Sequence, residues 1–408
     1  MKKLYIFLIA LFFVSMINLN TVKAESAPPP KVSADGAVLM DATTGEILYE
    51  KNIDKPYPPA STTKIMTALL TLEKCKLDEV VTVGKKPPLA DGSKIYIYEG
   101  EKLKVKDLLY ALLLSSANDC AEALAEHISG STKDFAKLMN ERAQELGCKN
   151  TNFVNPNGLY DDKHRTTARD LALIMRELVK HPEYTEIAKT LSYKIAPTNK
   201  SKLERPLWNG NKLIQKASMY YYANCEGGKT GYTTQSDHSY VASSIKNGQR
   251  LIVALIHDKK KTFFPDSINL FNYGYNNFEL VKMYSKGDIV SNYHQNNLNI
   301  NLLAANDFYY VKDKNDTSKA TINLENKDLT SMSFKKADAV LDASITLKDK
   351  SIGKLQLLSG SDHVTSSINY KLFSNNMSRV LTTVISITLS TIVIVFVIIR
   401  KKKVRANN

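Results

Sequence analysis

A serine and a lysine three residues apart, at the mouth of an apolar helical pattern, are the first residues of this chain able to do chemistry. Ser61-Thr-Thr-Lys64 opens a run to Lys74 whose apolar positions recur at helical spacing. On a helix that spacing puts both side chains on one face, so the amine reaches the hydroxyl. The same helix start offers free backbone N–H groups and the positive end of a dipole to a developing oxyanion. A serine nucleophile needs these parts: a base, a proton donor for the leaving group, and oxyanion donors. The hydrolase elbow Gly-x-Ser-x-Gly, the other common route, is missing from the sequence.

Ser-x-x-Lys alone says little, because it recurs at Ser243/Lys246, Ser333/Lys336 and Ser351/Lys354. Its company is what matters. Ser116-Ala117-Asn118 falls between two apolar stretches, and Lys229-Thr230-Gly231, the single Lys-Thr-Gly of the chain, follows Gly227-Gly228. These three motifs in this order mark the serine enzymes that are acylated by β-lactams.

The elements that must position them follow from periodicity. Ala37 to Asp41 and Glu46 to Glu50 flank Ala42-Thr-Thr-Gly45 as a hairpin. Helices are expected over 61–74, 105–114, 120–128, 134–146 and 167–179, with an irregular Asn-Pro-Asn-Gly loop at 155–158. From Lys229 the period changes. Ser239 to Ile245 and Arg250 to Ile256 read as strands joined at Asn247-Gly248, a strong hairpin signal, and a helix follows over 265–276. Strands at both ends of a helical block imply an α/β (α+β) catalytic domain, an antiparallel sheet flanked by helices, over residues 25–280. Short β-rich segments over 281–370, among them Leu298 to Leu303, Phe308-Tyr-Tyr-Val and Ala343 to Leu347, imply a separate small β domain.

The ends of the 408-residue chain read differently. Residues 1–24 have the basic start, apolar core and small final residue of a secretory signal peptide. Residues 380–399 carry no charge, Gly or Pro and are long enough to span a bilayer, and a basic tail follows at 400–408. Five cations directly after the span place that tail in the cytoplasm and the catalytic domain outside. They and the three lysines of the leader account for eight of the net +14 charges, leaving +6 between them, so nucleic acid is not an expected partner. Cys75, Cys120, Cys148 and Cys225 are too widely spaced for a zinc ribbon or redox pair and are expected as free thiols. Seven scattered histidines without a ligand motif argue against a metal, and no cofactor is expected.

The chain closely resembles the low-molecular-mass penicillin-binding proteins that are serine-type D-alanyl-D-alanine carboxypeptidases. The likeness runs through Pro-Pro-Ala-Ser-Thr-Thr-Lys-Ile-Met-Thr-Ala (58–68), Leu-Leu-Leu-Ser-Ser-Ala-Asn-Asp (112–119), Asn-Pro-Asn-Gly-Leu (155–159) and Gly-Lys-Thr-Gly-Tyr-Thr (228–233). Gly353 to Leu358 looks like that family's C-terminal β domain. The resemblance implies a β-lactamase/transpeptidase-like fold and a peptidoglycan stem peptide as substrate, with β-lactams as covalent inhibitors. It casts Ser61 as nucleophile, Lys64 as general base, Ser116 as proton relay to the leaving amine and Asn118 as positioner of Lys64 and the substrate amide. Lys229 and Thr230 would bind the terminal carboxylate, the N–H groups of Ser61 and Tyr232 would form the oxyanion hole, and Gly231 would keep the strand open. His164, Arg169 and Asp170 are expected in a loop-closing polar network, and Tyr220 to Tyr222 as packing or exposed aromatics. The competing readings are a class A-like β-lactamase, whose Glu-x-x-Leu-Asn run is missing here, and a penicillin-binding sensor without turnover.

Overall fold

The computed structural model describes residues 28–365 and 370–405. The expected signal peptide, 1–24, lies outside them. The chain starts with the expected hairpin, β1 (Gly36–Asp41) and β2 (Ile47–Lys51), whose turn is tied by the Asp41 carboxylate accepting the N–H groups of Thr43 and Thr44. A helical block follows: α1 (Lys64–Lys74), α2 (Val105–Leu114), α3 (Asn118–Ser129), α4 (Thr132–Glu145), α5 (Ala168–Leu178) and α6 (Pro182–Lys189). Two small hairpins punctuate it, β3 (Val80–Thr82) with β4 (Lys102–Lys104), and β5 (Ser192–Ile195) with β6 (Arg205–Trp208). Then come β7 (Cys225–Thr233), β8 (Asp237–Lys246), β9 (Gln249–Asp258) and α7 (Phe263–Asn277). The strands assemble as one antiparallel sheet in the order β2-β1-β9-β8-β7.

Strand β9 shows why the sheet sits where it does. Ile252, Ala254 and Ile256 join the core shared with α1 to α6, whereas Leu251, Val253 and Leu255 join a second core under α7 with Phe264, Leu270 and Phe271. All six are fully buried. A one-residue slip would exchange the two sets, and each large aliphatic side chain contributes about 1.5–3 kcal/mol, so the register is strongly specified. Asn247 and Gly248 close the β8–β9 turn with φ of +52° and +81°, the conformation that a two-residue hairpin demands.

One element differs from its expected form. The helix expected over 61–74 starts as a tight 3-10 turn, Ala60–Thr63, and becomes α-helical only at Lys64. Ser61 therefore belongs to that turn.

The chain divides into two compact units, the first comprising residues up to Met283 together with Phe308–Lys319, the second Tyr284–Asp307 and the chain from Ala320. Residues 308–319, expected in the small β domain, cluster with the first unit, where β10 (Phe278–Tyr284) pairs with β13 (Phe308–Asp313). In the second unit β11 (Ile289–Gln295), β12 (Leu298–Ala304), β14 (Thr321–Leu324), β15 (Ala339–Leu347) and β16 (Lys350–Ser359) form an antiparallel sheet ordered β11-β12-β16-β15-β14. Its inner face alternates cleanly: Leu298, Ile300, Leu302 and Ala304 are buried while Asn299 and Asn301 are exposed. The last helix, α8 (Tyr370–Arg405), contains a stretch, Met377–Lys403, whose most apolar 18-residue window has mean hydropathy 2.6 and which is long and apolar enough to cross a membrane. All four cysteines are free; Cys120, Cys148 and Cys225 are buried and Cys75 is half-buried.

Candidate active site

The Ser61 turn is held from below. Ala60 has φ +50°, a left-handed conformation that an alanine adopts only when its surroundings enforce it. Thr62 and Thr63 donate their hydroxyls to the carbonyls of Pro59 (2.7 Å) and Ala60 (2.9 Å). His164, buried, braces Thr63 in turn. Its Nδ1 accepts the Val154 N–H at 3.0 Å, which leaves the ring proton on Nε2 to be donated to Thr63 Oγ1 at 2.9 Å. Burial pushes this imidazole down to about 4, so it stays neutral and keeps that tautomer.

Lys64, fully buried, lies one turn beyond Ser61. Its Nζ is 3.1 Å from Ser61 Oγ, 2.6 Å from Asn118 Oδ1 and 2.6 Å from the Asn157 carbonyl oxygen. Burial first, then the nearby Lys229 cation, holds this amine well below the ordinary ammonium range, against the pull of Asp119, Cys120 and Glu122. A neutral amine has two hydrogens and one lone pair. Both short contacts are to carbonyl oxygens, which only accept, so they take the two hydrogens. The lone pair is left to the Ser61 hydroxyl, the one partner able to donate. The Asn118 amide cannot swap ends, because its Nδ2 donates to the Asp91 carbonyl at 2.5 Å.

The loop at 155–158 is the floor of this arrangement. Asn155 Oδ1 accepts the N–H groups of Asn157 (3.3 Å) and Gly158 (2.7 Å), and Thr67 donates to the Pro156 carbonyl at 2.5 Å. Gly158 has φ +87°, and a Cβ there would lie 1.9 Å from the Ala60 carbonyl oxygen. Only glycine lets the loop pass directly under the serine turn.

The opposite wall is β7, the edge strand of the sheet. A Cβ on Gly231 would sit 2.9 Å from both the Ser61 nitrogen and the Pro59 oxygen, so backbone runs against backbone here. Lys229, on the same strand, is buried, donates to the Thr230 carbonyl at 2.7 Å, and is pushed by burial down to about 7. Ser116, with φ +57°, sits in the short link between α2 and α3, and Asn118 is the first residue of α3. Ser61, Ser116, Thr230, Gly231 and Tyr232 line one cleft of about 770 Å³. Lys212, His238 and Lys261 also line it and no carboxylate does, so the described lining favours an anionic ligand.

Every expected site residue therefore belongs to one arrangement: Ser61, Lys64 and Asn118 in direct hydrogen bonds, Ser116, Thr230, Gly231 and Tyr232 around the cleft, and Lys229 buried on its edge strand. Sequence reasoning missed the Asn157 carbonyl, which is backbone and carries no residue signature, and the Asp91 carbonyl for the same reason. Tyr220 stacks on Phe264, the packing expected of it, and also lines the cleft, which was not expected. Arg169 pairs with Asp54 at 2.6 Å, and Asp170 accepts from Asn150 N–H and the Thr151 hydroxyl, the loop-closing contacts expected of them.

Known proteins place this arrangement. The D-alanyl-D-alanine carboxypeptidase family (peptidase S11) matches residues 21–260, and the penicillin-binding protein 5 C-terminal domain matches 278–365. D-alanyl-D-alanine carboxypeptidase DacA of Haemophilus influenzae is 34% identical over 339 residues, 78% of this chain and 84% of that protein. DacF of Bacillus subtilis is 33% identical over 266 residues, 63% of this chain and 66% of that protein, just under two thirds of its length. The crystal structure of penicillin binding protein 5 from Haemophilus influenzae superposes with a TM-score of 0.70 at 30% identity, covering 82% of this chain and 99% of that one. With a family match over more than half of its length and a relative this similar over most of it, the chain belongs to the serine-type D-alanyl-D-alanine carboxypeptidase family of penicillin-binding proteins.

Proposed function

We propose that this chain cleaves the terminal D-Ala-D-Ala bond of peptidoglycan stem peptides through an ester on Ser61, and so limits cross-linking. The stem peptide lies along the open edge of β7, where an extended chain can add as a further strand. Its terminal carboxylate meets Thr230 and the Lys229 ammonium. Ser61 Oγ attacks the carbonyl carbon of the penultimate residue while Lys64 takes the hydroxyl proton. The oxyanion that forms accepts the N–H groups of Ser61 and Tyr232. As the C–N bond breaks, the leaving nitrogen receives a proton through Ser116, and D-alanine departs. Water then cleaves the ester. A β-lactam follows the same first step and leaves a bulkier acyl group that obstructs that water.

The observation that carries this reading is the Lys64 amine, buried, gripped by two carbonyl oxygens at 2.6 Å, with the Ser61 hydroxyl at 3.1 Å. It supplies a neutral base in contact with a nucleophile, and among the described residues no carboxylate is hydrogen-bonded to either. We assign residues 25–280 to catalysis, 1–24 to a cleaved export signal, 380–399 to a membrane span that holds the catalytic unit outside, and 400–408 to the cytoplasm.

The test is release of D-alanine from a diacyl-Lys-D-Ala-D-Ala peptide, alongside mass spectrometry of the penicillin-treated protein. Multiple turnovers of peptide and a penicilloyl adduct on the Ser61 peptide lasting minutes are expected. Rapid penicillin hydrolysis without peptide cleavage would assign a β-lactamase instead.

A further inference from the structure

Helix α3 reaches the base by two routes, one direct through Asn118 and one relayed through Asn157. Asn118, its first residue, accepts directly from Lys64 Nζ. Glu122 lies four residues on, hence on the same face of the helix. Its Oε1 accepts the Asn157 side-chain N–H at 2.9 Å, and the Asn157 backbone carbonyl is the second short acceptor of Lys64, at 2.6 Å. The other end of the Asn157 amide is also fixed, its Oδ1 accepting the Leu159 N–H at 2.9 Å. Asn157 is itself buried, so few other orientations are open to it.

We propose that Glu122 is a positioning residue for the acylation step, aligning the Asn157 carbonyl on Lys64 and setting, through its charge, how readily Lys64 gives up its proton. The inference rests on Lys64 being the base that activates Ser61. Glu122 stands behind the 155–158 loop and does not line the cleft, so it acts through Asn157 and through the field at Lys64. It is half-buried. Burial, then Glu126 and Asp119 along α3 and Asp91 across from it, push its carboxyl up to about 7, while the Asn157 hydrogen bond opposes them. Lys86 faces Glu126, and Lys64 is the titratable amine on the α1 side. Ionised, Glu122 favours the ammonium form of Lys64. Its removal must therefore let Lys64 lose its proton at lower pH.

The experiment measures acylation by a fluorescent penicillin across pH in the intact protein, for wild type, Glu122→Gln and Glu122→Ala, with melting curves for each. Penicillin acylation reports the Ser61–Lys64 pair without requiring peptide cleavage, so it remains a readout even if no D-alanine is released. Labelling that survives Ser61→Ala would instead sink the underlying site reading. Glutamine keeps an oxygen that accepts from Asn157 but no charge. E122Q should keep a plateau rate close to wild type with its acid limb moved to lower pH. E122A should show the same movement and a plateau lower by about 10- to 100-fold, the loss expected for a misplaced catalytic group. An unmoved acid limb in E122Q overturns the electrostatic part whatever E122A does, since the near-isosteric variant is the one expected to stay folded. A folded E122A with the wild-type plateau overturns the positioning part.

Discussion

The two walls of the cleft are built on opposite plans. The wall carrying Ser61 and Lys64 is enclosed: a buried amine with two carbonyl acceptors, a threonine pair tied to backbone, a neutral buried histidine beneath, and a glycine with no room for a methyl group. The β7 wall is open: an edge strand, an exposed Tyr232 stacked on His238, and a lysine bonded to the carbonyl of the next residue. Proton transfer needs donor and acceptor held at hydrogen-bond reach, about 2.6–3.2 Å, and tight enclosure supplies that. Recognition of an extended peptide needs free backbone and room, and an edge strand supplies those. The lysines show the same split. In the proposed mechanism Lys64 is the neutral group that accepts a proton and Lys229 the cation that holds a carboxylate.

Removing the reacting groups tests the enclosed wall hardest. Ser61→Ala should abolish both D-alanine release and penicillin labelling, and Lys64→Ala should slow acylation by at least about 10²- to 10⁴-fold, the usual contribution of a general base. A smaller loss measured in a stopped labelling assay would move the base elsewhere.

A methyl group then compares the two walls directly. Gly158→Ala adds left-handed strain and a clash with the Ala60 carbonyl, so it should destabilise the folded protein by about 3–5 kcal/mol in denaturant melts. Gly231→Ala, at an edge with an ordinary backbone angle, should leave the fold intact and lower acylation by roughly 10- to 100-fold by pushing β7 away from the Ser61 nitrogen. Equal stability losses in the two variants would erase the distinction drawn here.

The pH profile gives a third, smaller contrast. Lys64 must be neutral to act as base, so kcat/KM for the peptide should fall at the acid end. Lys229 must be charged to bind the carboxylate and is pushed down to about 7, so its ammonium is lost, and kcat/KM falls, as pH rises through that region. In Lys229→Arg, which stays charged, the alkaline fall should disappear even where the plateau is reduced. The smallest effect belongs to the C-terminal helix: deletion of 380–408 should release a soluble protein with unchanged turnover of small peptides.

Much of this was legible before any coordinates. The three motifs named every side chain expected in the site, and the alternation of β8 and β9 about Asn247-Gly248 located the sheet. What escaped was either backbone or non-local. Carbonyls of Asp91 and Asn157 have no residue signature, and the left-handed turn at Ala60 is imposed by Thr63, Gly158 and β7 rather than by alanine. Residues 308–319 read as part of the small β domain. Their assignment depends on pairing with β10 some thirty residues earlier, which periodicity within a window cannot detect.

The four unpaired cysteines set a condition on where this protein can mature. No covalent cross-link within the catalytic unit has to form before the nucleophile turn is assembled, so folding waits on neither an oxidant nor an isomerase. Three of the thiols are sealed in the interior, where burial keeps them protonated, with Cys225 pushed up to about 11, and a protonated thiol is a poor nucleophile. An oxygen-free or strongly reducing medium therefore removes nothing from the stability of the catalytic unit, and a mildly oxidising one finds only Cys75 partly within reach.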